Sequence, residues 1–212
     1  MTDVPSPAWV KPEALPRVPY QFPQAPLPPS APRLAIVGEA PGADEVRLGL
    51  PFVGRSGRLL DENLKAAGIN RQECLVANVF CHQPPGNRVG CFFASSRRAA
   101  ATGEAIAGDW GRFGAAGYCR TAFLADLLHL RQSLQIWQPT ALLLLGGVPL
   151  WAFSGRSGIL AARGPLAVAE NRLLPGVPAV ATYHPSYLLR GQWALRPQWQ
   201  ADMRTAWELA GR

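Results

Sequence analysis

Cysteine is scarce in this sequence, and the cysteines that are present are not paired. The 212 residues contain four, Cys74, Cys81, Cys91 and Cys119, and no two of them form a CxxC motif. Isolated cysteines in a reducing compartment are free thiols rather than disulfide partners. We therefore expect no structural disulfide bridge.

A long apolar run is also missing. No segment approaches the ~20 apolar residues that a membrane-spanning helix needs. The amino terminus lacks the basic start, apolar run and small-residue cleavage site of a secretory signal. These absences lead us to expect a cytoplasmic protein that makes no membrane contact.

Charged residues are few but unbalanced in sign. They make up 17% of the chain, with 21 Lys and Arg against 14 Asp and Glu, which gives a formal charge of +7. This excess suits a polyanionic partner such as nucleic acid, although a solvated basic surface without a ligand explains the charge equally well. The motifs must decide between these two explanations.

Proline divides the chain into an amino-terminal arm and a globular domain. Residues 1–32 contain ten of the 21 prolines, so this arm forms neither a helix interior nor a central strand. Its larger apolar side chains indicate that it drapes over the domain, with a flexible tail as the alternative; they are Trp9, Val18, Tyr20 and Phe22. Apolar residues make up 48% of the whole chain, so we expect residues 33–212 to form one domain around a substantial core.

The domain alternates short apolar runs with helix-like stretches, which predicts an α/β fold. The predicted strands are 33–37, 75–80, 141–145 and 178–183, and they form a central, mostly parallel four-stranded sheet. Helices are predicted over 56–67, ending at Gly68, over 121–137, and after Pro197. We expect these helices to flank the sheet.

The segment 89–117 does not follow this alternation. It is rich in Gly, Ala and Ser, carries the basic pair Arg97-Arg98 and shows no clear strand pattern. We predict an insertion with some helix. The segment exceeds the usual loop length, so a lid or substrate-contacting flap and a passive surface excursion are both open interpretations.

The most informative segment follows the first predicted strand. It reads Gly38-Glu39-Ala40-Pro41-Gly42-Ala43-Asp44-Glu45, and shortly after it comes Gly49-Leu50-Pro51-Phe52-Val53-Gly54-Arg55-Ser56-Gly57. A glycine-rich loop at the carboxyl end of a strand lies at the usual binding edge of an open α/β sheet. Because the GxGxxG and GxxxxGKS/T spacings are absent, dinucleotide and triphosphate binding have little support.

Two further motifs follow later strands. Asn78-Val79-Phe80 with Pro84-Pro85-Gly86-Asn87-Arg88 comes after the second, and His184-Pro185-Ser186-Tyr187-Leu188-Leu189-Arg190 comes after the fourth. Together with the Gly38 loop, these motifs resemble the uracil-DNA glycosylase superfamily, particularly its bacterial and archaeal family 4. Family 5 is similar but lacks the glutamate that Glu39 represents. The resemblance runs from about Arg33 to about Arg190, interrupted by 89–117.

The resemblance implies a pocket that binds a uracil rotated out of the DNA stack. Phe52 is expected to stack on the flipped ring. The side-chain amide of Asn78 can donate to uracil O4 and accept from N3–H, a pattern that cytosine reverses. Gly38 and Ala40 complete the expected uracil contacts, and Asn87 either braces a turn or touches the base or backbone.

Three residues are the catalytic candidates. His184 is the donor for the negative charge that builds on uracil O2, and the resemblance implies that Glu39 orients or deprotonates the attacking water. Glu45 matches a further acidic position of the family and helps to hold that water or the loop. The expected activity is that of a monofunctional uracil-DNA glycosylase, which leaves an abasic site and free uracil in base excision repair.

A second set of residues is expected to contact the DNA strand. Leu188 and Leu189 would wedge into the gap left by the flipped base, and Arg190 would meet phosphate. Stiff connectors without DNA contact are the alternative. The full set is Pro51, Pro84, Pro85, Arg88, Pro185, Ser186, Leu188, Leu189 and Arg190. We expect the protein to act on DNA as a monomer.

The sequence departs from family 4 in its cysteines. Those enzymes hold a 4Fe–4S cluster through four cysteines, two of them closely paired near the amino terminus. Here the arm has no cysteine, and His82 occupies the family position after the second motif, with Cys81 one residue earlier. Only Cys119 falls where a ligand is expected, so we predict no cluster and no other metal. The arm or the 89–117 segment would then cover that surface.

Two other functions are alternatives. One is a relative that binds uracil-DNA without turnover, or traps the sugar covalently through a histidine, for which His82 is the candidate. The other is an unrelated α/β nucleotide-binding enzyme or regulator that holds phosphate in the Gly38 loop, although that loop contains no lysine.

Overall fold

The computed structural model describes residues 10–211. Within this range the strands are, in chain order, β1 (Leu34–Gly38), β2 (Leu75–Asn78), β3 (Phe93–Ala94), β4 (Arg112–Phe113), β5 (Gly117–Cys119), β6 (Ala141–Leu145), β7 (Gly164–Leu166) and β8 (Ala179–Thr182). The α-helices are α1 (Ala43–Leu48), α2 (Arg55–Ala66), α3 (Ser96–Thr102), α4 (Leu124–Trp137), α5 (Gly147–Ser154), α6 (Ile159–Ala162), α7 (Pro185–Leu189) and α8 (Arg196–Ala210).

Short 3-10 turns connect many of these elements. They are Pro12–Ala14, Arg71–Glu73, Pro85–Asn87, Val89–Phe92, Gly108–Trp110, Gly114–Ala116, Thr121–Phe123, Val168–Glu170 and Trp193–Leu195. No helix in the described part of the chain is long and apolar enough to cross a bilayer.

The central sheet has the order β2-β1-β6-β8-β7. The first four strands run parallel, and β7 pairs antiparallel with β8 at the edge. The predicted α/β class and mostly parallel sheet are therefore confirmed, but the predicted strand number of four was wrong, because the sheet has five strands. The missed strand has three residues and contains Gly164 and Pro165, which are typical of an edge and leave no apolar alternation to detect.

The parallel strands are apolar throughout because helices cover both faces of the sheet. Leu142 and Leu144 of β6 pack with α4 and α5, whereas Leu143 and Leu145 pack with α2 and α8. All four leucines have no solvent exposure. Successive side chains of a strand point to opposite faces, so a sheet buried on both sides needs an unbroken apolar run.

The predicted helices are close to the observed ones. The 56–67 prediction corresponds to α2, and Gly68 follows it with a positive φ of 76°. The 121–137 prediction begins as a 3-10 turn before it becomes α4, and α8 contains Pro197 in its first turn. Four short helices went unpredicted: α1, α5, α6 and α7. Helix α1 lies within the glycine-rich loop, and its six residues between Gly42 and Gly49 are too few to show helical periodicity.

The segment 89–117 carries more strand than predicted. It contains α3, as expected, but its ends form a small antiparallel sheet with Cys119 in the order β3-β5-β4. Strands of two or three residues are too short for sequence periodicity. Phe92 and Phe93 are 0% and 2% exposed and belong to the main core. The segment is therefore anchored in the domain rather than laid on its surface.

The amino-terminal arm lies along the outer edge of β2. Backbone hydrogen bonds join Gln21 to Val76 in both directions, at 2.9 and 2.8 Å, and the amide of Val18 donates to the carbonyl of Cys81. Val18 is 3% exposed, and the ring of Tyr20 stacks on His129 at 4.9 Å. Over residues 10–32 the arm thus drapes over the domain; Trp9 lies outside the described residues. It covers an edge strand whose polar groups would otherwise face solvent.

A buried polar network fastens the arm to the core. The Asp126 carboxylate on α4 accepts hydrogen bonds from the Cys81 amide at 3.2 Å, the Cys81 thiol at 2.9 Å and Nδ1 of His82 at 2.8 Å. Burial raises the pKa of the Cys81 thiol to about 12, and Asp126 adds to that shift, so the thiol keeps its proton as a donor. Arg17 of the arm donates to the same sulfur at 3.2 Å.

We predict that Asp126→Ala lowers the free energy of unfolding by about 3 kcal/mol, because three buried donors lose their acceptor. Chemical denaturation followed by circular dichroism measures this loss. Asp109→Ala, at an exposed aspartate of a 3-10 turn, is the matched control and should stay within about 0.5 kcal/mol of the unsubstituted protein. Equal effects of the two substitutions would contradict the prediction.

Candidate active site

The carboxyl ends of four parallel strands meet at one pocket. Glu39 follows β1, Asn78 ends β2, Gly146 follows β6, and His184 comes two residues after β8. Open α/β sheets bind ligands at this edge. The pocket has a volume of about 620 Å³. Its lining includes these predicted site residues: Glu39, Ala40, Glu45, Phe52, Asn78, Pro84, Asn87, His184, Ser186 and Arg190.

The Glu39 carboxylate is held at the amino end of α5. Its Oε1 accepts hydrogen bonds from the backbone amides of Gly147 at 3.0 Å and Val148 at 3.4 Å. The unpaired amides and the dipole of a helix start stabilise negative charge there. The bonds to Oε1 orient the whole carboxylate, so its second oxygen has a defined direction.

Gly146 makes this arrangement sterically possible. Its φ is +104°, and a Cβ at this position would lie 2.5 Å from Glu39 Oε1 and 3.1 Å from the Cβ of His184. A side chain at position 146 would therefore displace both the Glu39 carboxylate and His184. From the sequence, Gly146 was only the residue that follows the predicted strand 141–145.

Phe52 and Asn78 converge above Gly38. A Cβ on Gly38 would collide with the Phe52 ring and would lie 2.5 Å from Asn78 Oδ1, so this glycine leaves room for both side chains. Phe52 is 5% and Asn78 4% exposed. The Phe52 ring centroid is 6.0 Å from that of His184. An apolar ring face, an amide and an imidazole therefore surround the same space.

The hydrogen bonds of His184 define its tautomer. The amide of Ser186 donates to Nδ1 at 3.2 Å, which makes Nδ1 an acceptor, and Ser186 Oγ lies 2.8 Å from the same atom. In a neutral ring the proton is then on Nε2. Burial lowers the pKa of His184 below its usual value, and Arg190 adds to this, whereas Glu39 and Glu45 act in the opposite direction.

Glu45 and Asn87 lie at the pocket but are engaged with its loops. Oε2 of Glu45 accepts from the Gly42 amide at 3.1 Å, and Oε1 accepts from the Gly54 amide at 3.4 Å. Glu45 therefore ties the two halves of the glycine-rich loop together. Asn87 has a left-handed backbone, with φ of +56°, and its Oδ1 accepts from Gln83 at 3.2 Å.

Only some of the residues predicted to contact DNA lie at the pocket, and Leu188 is buried. Leu188 is fully buried and packs in the core against α2 and α8, so it is not exposed for a wedge. Leu189 is half-buried and Arg190 exposed at the end of α7. Outside the pocket lining lie Gly38, Pro51, Pro85, Arg88, Pro185, Leu188 and Leu189.

The other two histidines lie away from the pocket. His82 is 7% exposed and bonded to Asp126, and His129 stacks on Tyr20. His184 is therefore the histidine of the chain that faces the pocket. A covalent trap through His82 gains no support from this placement.

The cysteines do not fit a four-thiolate iron–sulfur cluster. Cys74 packs on the α2 and α8 side of the sheet, whereas Cys91 and Cys119 pack on the opposite side. Among residues 10–211, the group of close metal-ligating side chains is Cys81, His82 and Asp126, which contains one thiol. A cluster of this type needs several thiolates around one site. The predicted lack of a cluster stays a prediction, supported by this donor set.

Comparison with known proteins identifies the chain's relatives. The family model for the uracil DNA glycosylase superfamily matches residues 26–208. The chain belongs to the uracil-DNA glycosylase superfamily and is nearest to its family 4. This membership makes the protein a hydrolase associated with DNA repair, and it removes the unrelated nucleotide-binding enzyme from consideration.

The similarity to individual family-4 proteins is extensive. The chain is 31% identical over 162 residues to the type-4 uracil-DNA glycosylase of Thermotoga maritima, covering 76% of this chain and 68% of the relative. It is 30% identical over 174 residues to that of Pyrobaculum aerophilum, covering 79% and 73%. With the protein of Archaeoglobus fulgidus, 55 residues are 47% identical, covering 26% and 28%.

Several pocket residues escaped the sequence prediction. Val89, Ile159, Tyr183 and Tyr187 add apolar surface to the pocket, and Arg55 adds positive charge. Ile159 belongs to α6, a four-residue helix without sequence periodicity. Val89 shows that the 89–117 segment contributes to the pocket wall, which favours a substrate-contacting role for its first residue.

Arg71 makes several side-chain hydrogen bonds, although the sequence predicted no role for it. Its guanidinium donates to the carbonyls of Pro51 at 2.6 Å and Phe52 at 2.8 Å, to Asp61 at 2.7 Å and to Gln21 of the arm at 3.1 Å. Phe52 has a left-handed backbone, with φ of +54°, which is strained for a bulky residue. Arg71 therefore holds the phenylalanine in that conformation.

We predict that Arg71→Met and Arg71→Lys both lower kcat/KM about tenfold to a hundredfold, because neither side chain can hold two carbonyls with a planar fork. Single-turnover formation of abasic sites in a uracil-containing oligonucleotide is the assay. Arg131→Met, at an exposed arginine of α4, is the control and should react at the unsubstituted rate. Full activity of Arg71→Met would show that Phe52 keeps its position without the clamp.

Proposed function

We propose that this protein is a monofunctional uracil-DNA glycosylase. It removes uracil from DNA by hydrolysing the bond between uracil N1 and deoxyribose C1′, and the products are free uracil and an abasic site. The supporting observation is the convergence of Glu39, Phe52, Asn78 and His184 on one pocket at the carboxyl edge of the sheet. The type-4 uracil-DNA glycosylases that resemble the chain support the same reaction.

The base is recognised by its face and its Watson–Crick edge. The flipped uracil lies against the Phe52 ring, which is buried at the pocket wall. The Asn78 amide donates through Nδ2 to uracil O4 and accepts through Oδ1 from N3–H. Cytosine presents a donor and an acceptor in the reverse order, so it would leave both atoms of the amide unpaired, at a cost of several kcal/mol.

Neutral His184 stabilises the leaving base. As the bond from C1′ to N1 breaks, its electron pair moves onto the uracil ring and negative charge builds on O2. Because Ser186 occupies Nδ1, the ring presents Nε2–H as the donor to that oxygen. A donor that is already oriented needs no reorganisation during the reaction.

Glu39 positions the water and balances the charge on the sugar. The two amides of α5 hold Oε1, and the carboxylate orients a water molecule for attack on C1′. It accepts a proton from that water as the new C–O bond forms, and the proton then neutralises the uracil anion. The negative carboxylate also opposes the positive charge of the oxocarbenium-like sugar.

The positive charge of the chain supports DNA as the partner. The formal charge is +7, and Arg55 and Arg190 line the pocket at exposed positions. Phosphates on either side of the flipped nucleotide would meet these arginines, while Ser186 and Pro84, which line the same pocket, confine the DNA backbone. We propose that the protein binds uracil-containing DNA as a monomer.

The decisive experiment is a gel assay with labelled oligonucleotides that contain one uracil opposite guanine, opposite adenine or unpaired. We expect alkali-sensitive strand cleavage that requires uracil. Glu39→Gln should slow product formation by about 10²- to 10⁴-fold while uracil-DNA is still bound. Asn78→Ala should weaken discrimination of uracil from cytosine, whereas Glu208→Gln, at an exposed position of α8, should react normally.

Two results of this assay would refute the proposal. If none of the substrates becomes alkali-sensitive, the protein has no glycosylase activity on uracil. A product band that stays attached to the protein after denaturation would indicate covalent trapping of the sugar instead of hydrolysis.

The tautomer of His184 predicts the pH dependence of the reaction. The neutral ring is the active form and its pKa lies below the usual value, so the single-turnover rate should be constant near pH 7 and fall only well below about 6.5. Arg190→Met removes a positive charge that disfavours protonation, so the acid limb should move to higher pH. A shift to lower pH in this variant, at saturating DNA, would contradict the assignment.

A further inference from the structure

An exposed tryptophan stands beside the pocket on the α7 side. Trp193 is 48% exposed and begins the 3-10 turn that follows α7. Most large apolar side chains of the domain are in the core, including Trp151 and Trp199 at 0% exposure. Half of an indole left in solvent next to a binding site suggests a ligand surface rather than a packing role.

Trp193 lines a second groove, which shares Arg55 with the lining of the main pocket. The groove has a volume of about 200 Å³, and its walls are Arg55, Arg58, Leu59, Glu62, Leu189 and Trp193. Arg55 lines the main pocket as well. A strand that places one nucleotide in the pocket can therefore pass over Arg55 and lay its next nucleotides in this groove.

The charges of the groove suit a nucleic acid. Arg55 and Arg58 of the groove wall are exposed on α2. Arg190, which lines the main pocket, is exposed at the end of α7. Glu62 is the acidic side chain of the groove wall, and it lies 4.0 Å from Arg196. A positive wall opposite an apolar face resembles surfaces that hold phosphates on one side and stack bases on the other.

We propose that Trp193 is a stacking platform for a base of the DNA strand next to the flipped nucleotide. This inference rests on the proposed function. Leu188 is buried in the core, so the apolar side chains that α7 and the following turn contribute to the groove are Leu189 and Trp193. An indole face accepts any base, because stacking does not require a particular hydrogen-bond pattern.

The stacking platform determines the preferred class of substrate. In a duplex, a base already stacks on both neighbours and would have to leave them to reach Trp193, which costs a few kcal/mol. In a single strand that cost is small. The protein therefore binds unpaired DNA more tightly than duplex DNA, and Trp193 accounts for that difference.

The test measures binding of a short, labelled, all-thymine single strand and of its duplex with adenine by fluorescence anisotropy. Trp193→Ala should weaken single-strand binding about 5- to 100-fold, which corresponds to one stacked base, and should change duplex binding much less. Trp193→Phe should recover part of the affinity. Ile136→Ala is the control, because Ile136 is 74% exposed in the last turn of α4, just before β6 begins, whereas the pocket lies where the strands end.

Three other results would overturn the inference. Unchanged single-strand binding by Trp193→Ala would show that Trp193 is not a stacking platform. An equal loss of affinity for single strand and duplex would assign the effect to phosphate contacts. A change of oligomeric state in sedimentation would show that a second copy covers Trp193. The probes contain no uracil, so weakened binding by Trp193→Ala together with an inactive parent protein would refute only the glycosylase proposal.

Discussion

The active-site pocket depends on the missing side chain at Gly146. Glu39 and His184 come from two different strand ends, and both approach the backbone of this one residue. The positive φ of Gly146 turns the chain from β6 into α5, so the first amides of α5 point at the Glu39 carboxylate. The carboxylate, the imidazole and the helix start are therefore arranged by a single backbone position. Phe52 and Asn78, which are proposed to bind the base, line the same pocket.

A buried hydrogen-bond network fastens the amino-terminal arm to the core. Arg17, Cys81, His82 and Asp126 connect the arm, the segment after β2 and helix α4. A network of hydrogen bonds depends on burial and pairing rather than on oxidation state. The attachment of the arm therefore depends on the burial of Asp126 and on its hydrogen-bond donors.

The sequence predicted the parts of this structure that repeat or that carry a motif. The strand at 141–145 and the helix at 56–67 have clear apolar patterns, and the residues of the three motifs meet at one sheet edge. The two-residue strands, β7 and α6 are too short for any period. Leu188 was expected at the surface, but its burial is decided by how α7 rests on α2. Arg71 acts through backbone carbonyls, which leave no signal in the sequence.

The contacts of Arg71 also join the arm to the wall of the pocket. The same guanidinium holds Gln21 and the carbonyl of Phe52, and none of the described arm residues, 10–32, lines the pocket. The arm is thus a remote support of the aromatic wall. Under the proposed function, homologous chains that differ only in this proline-rich extension would differ in their affinity for the flipped base, although the residues that line the pocket are identical.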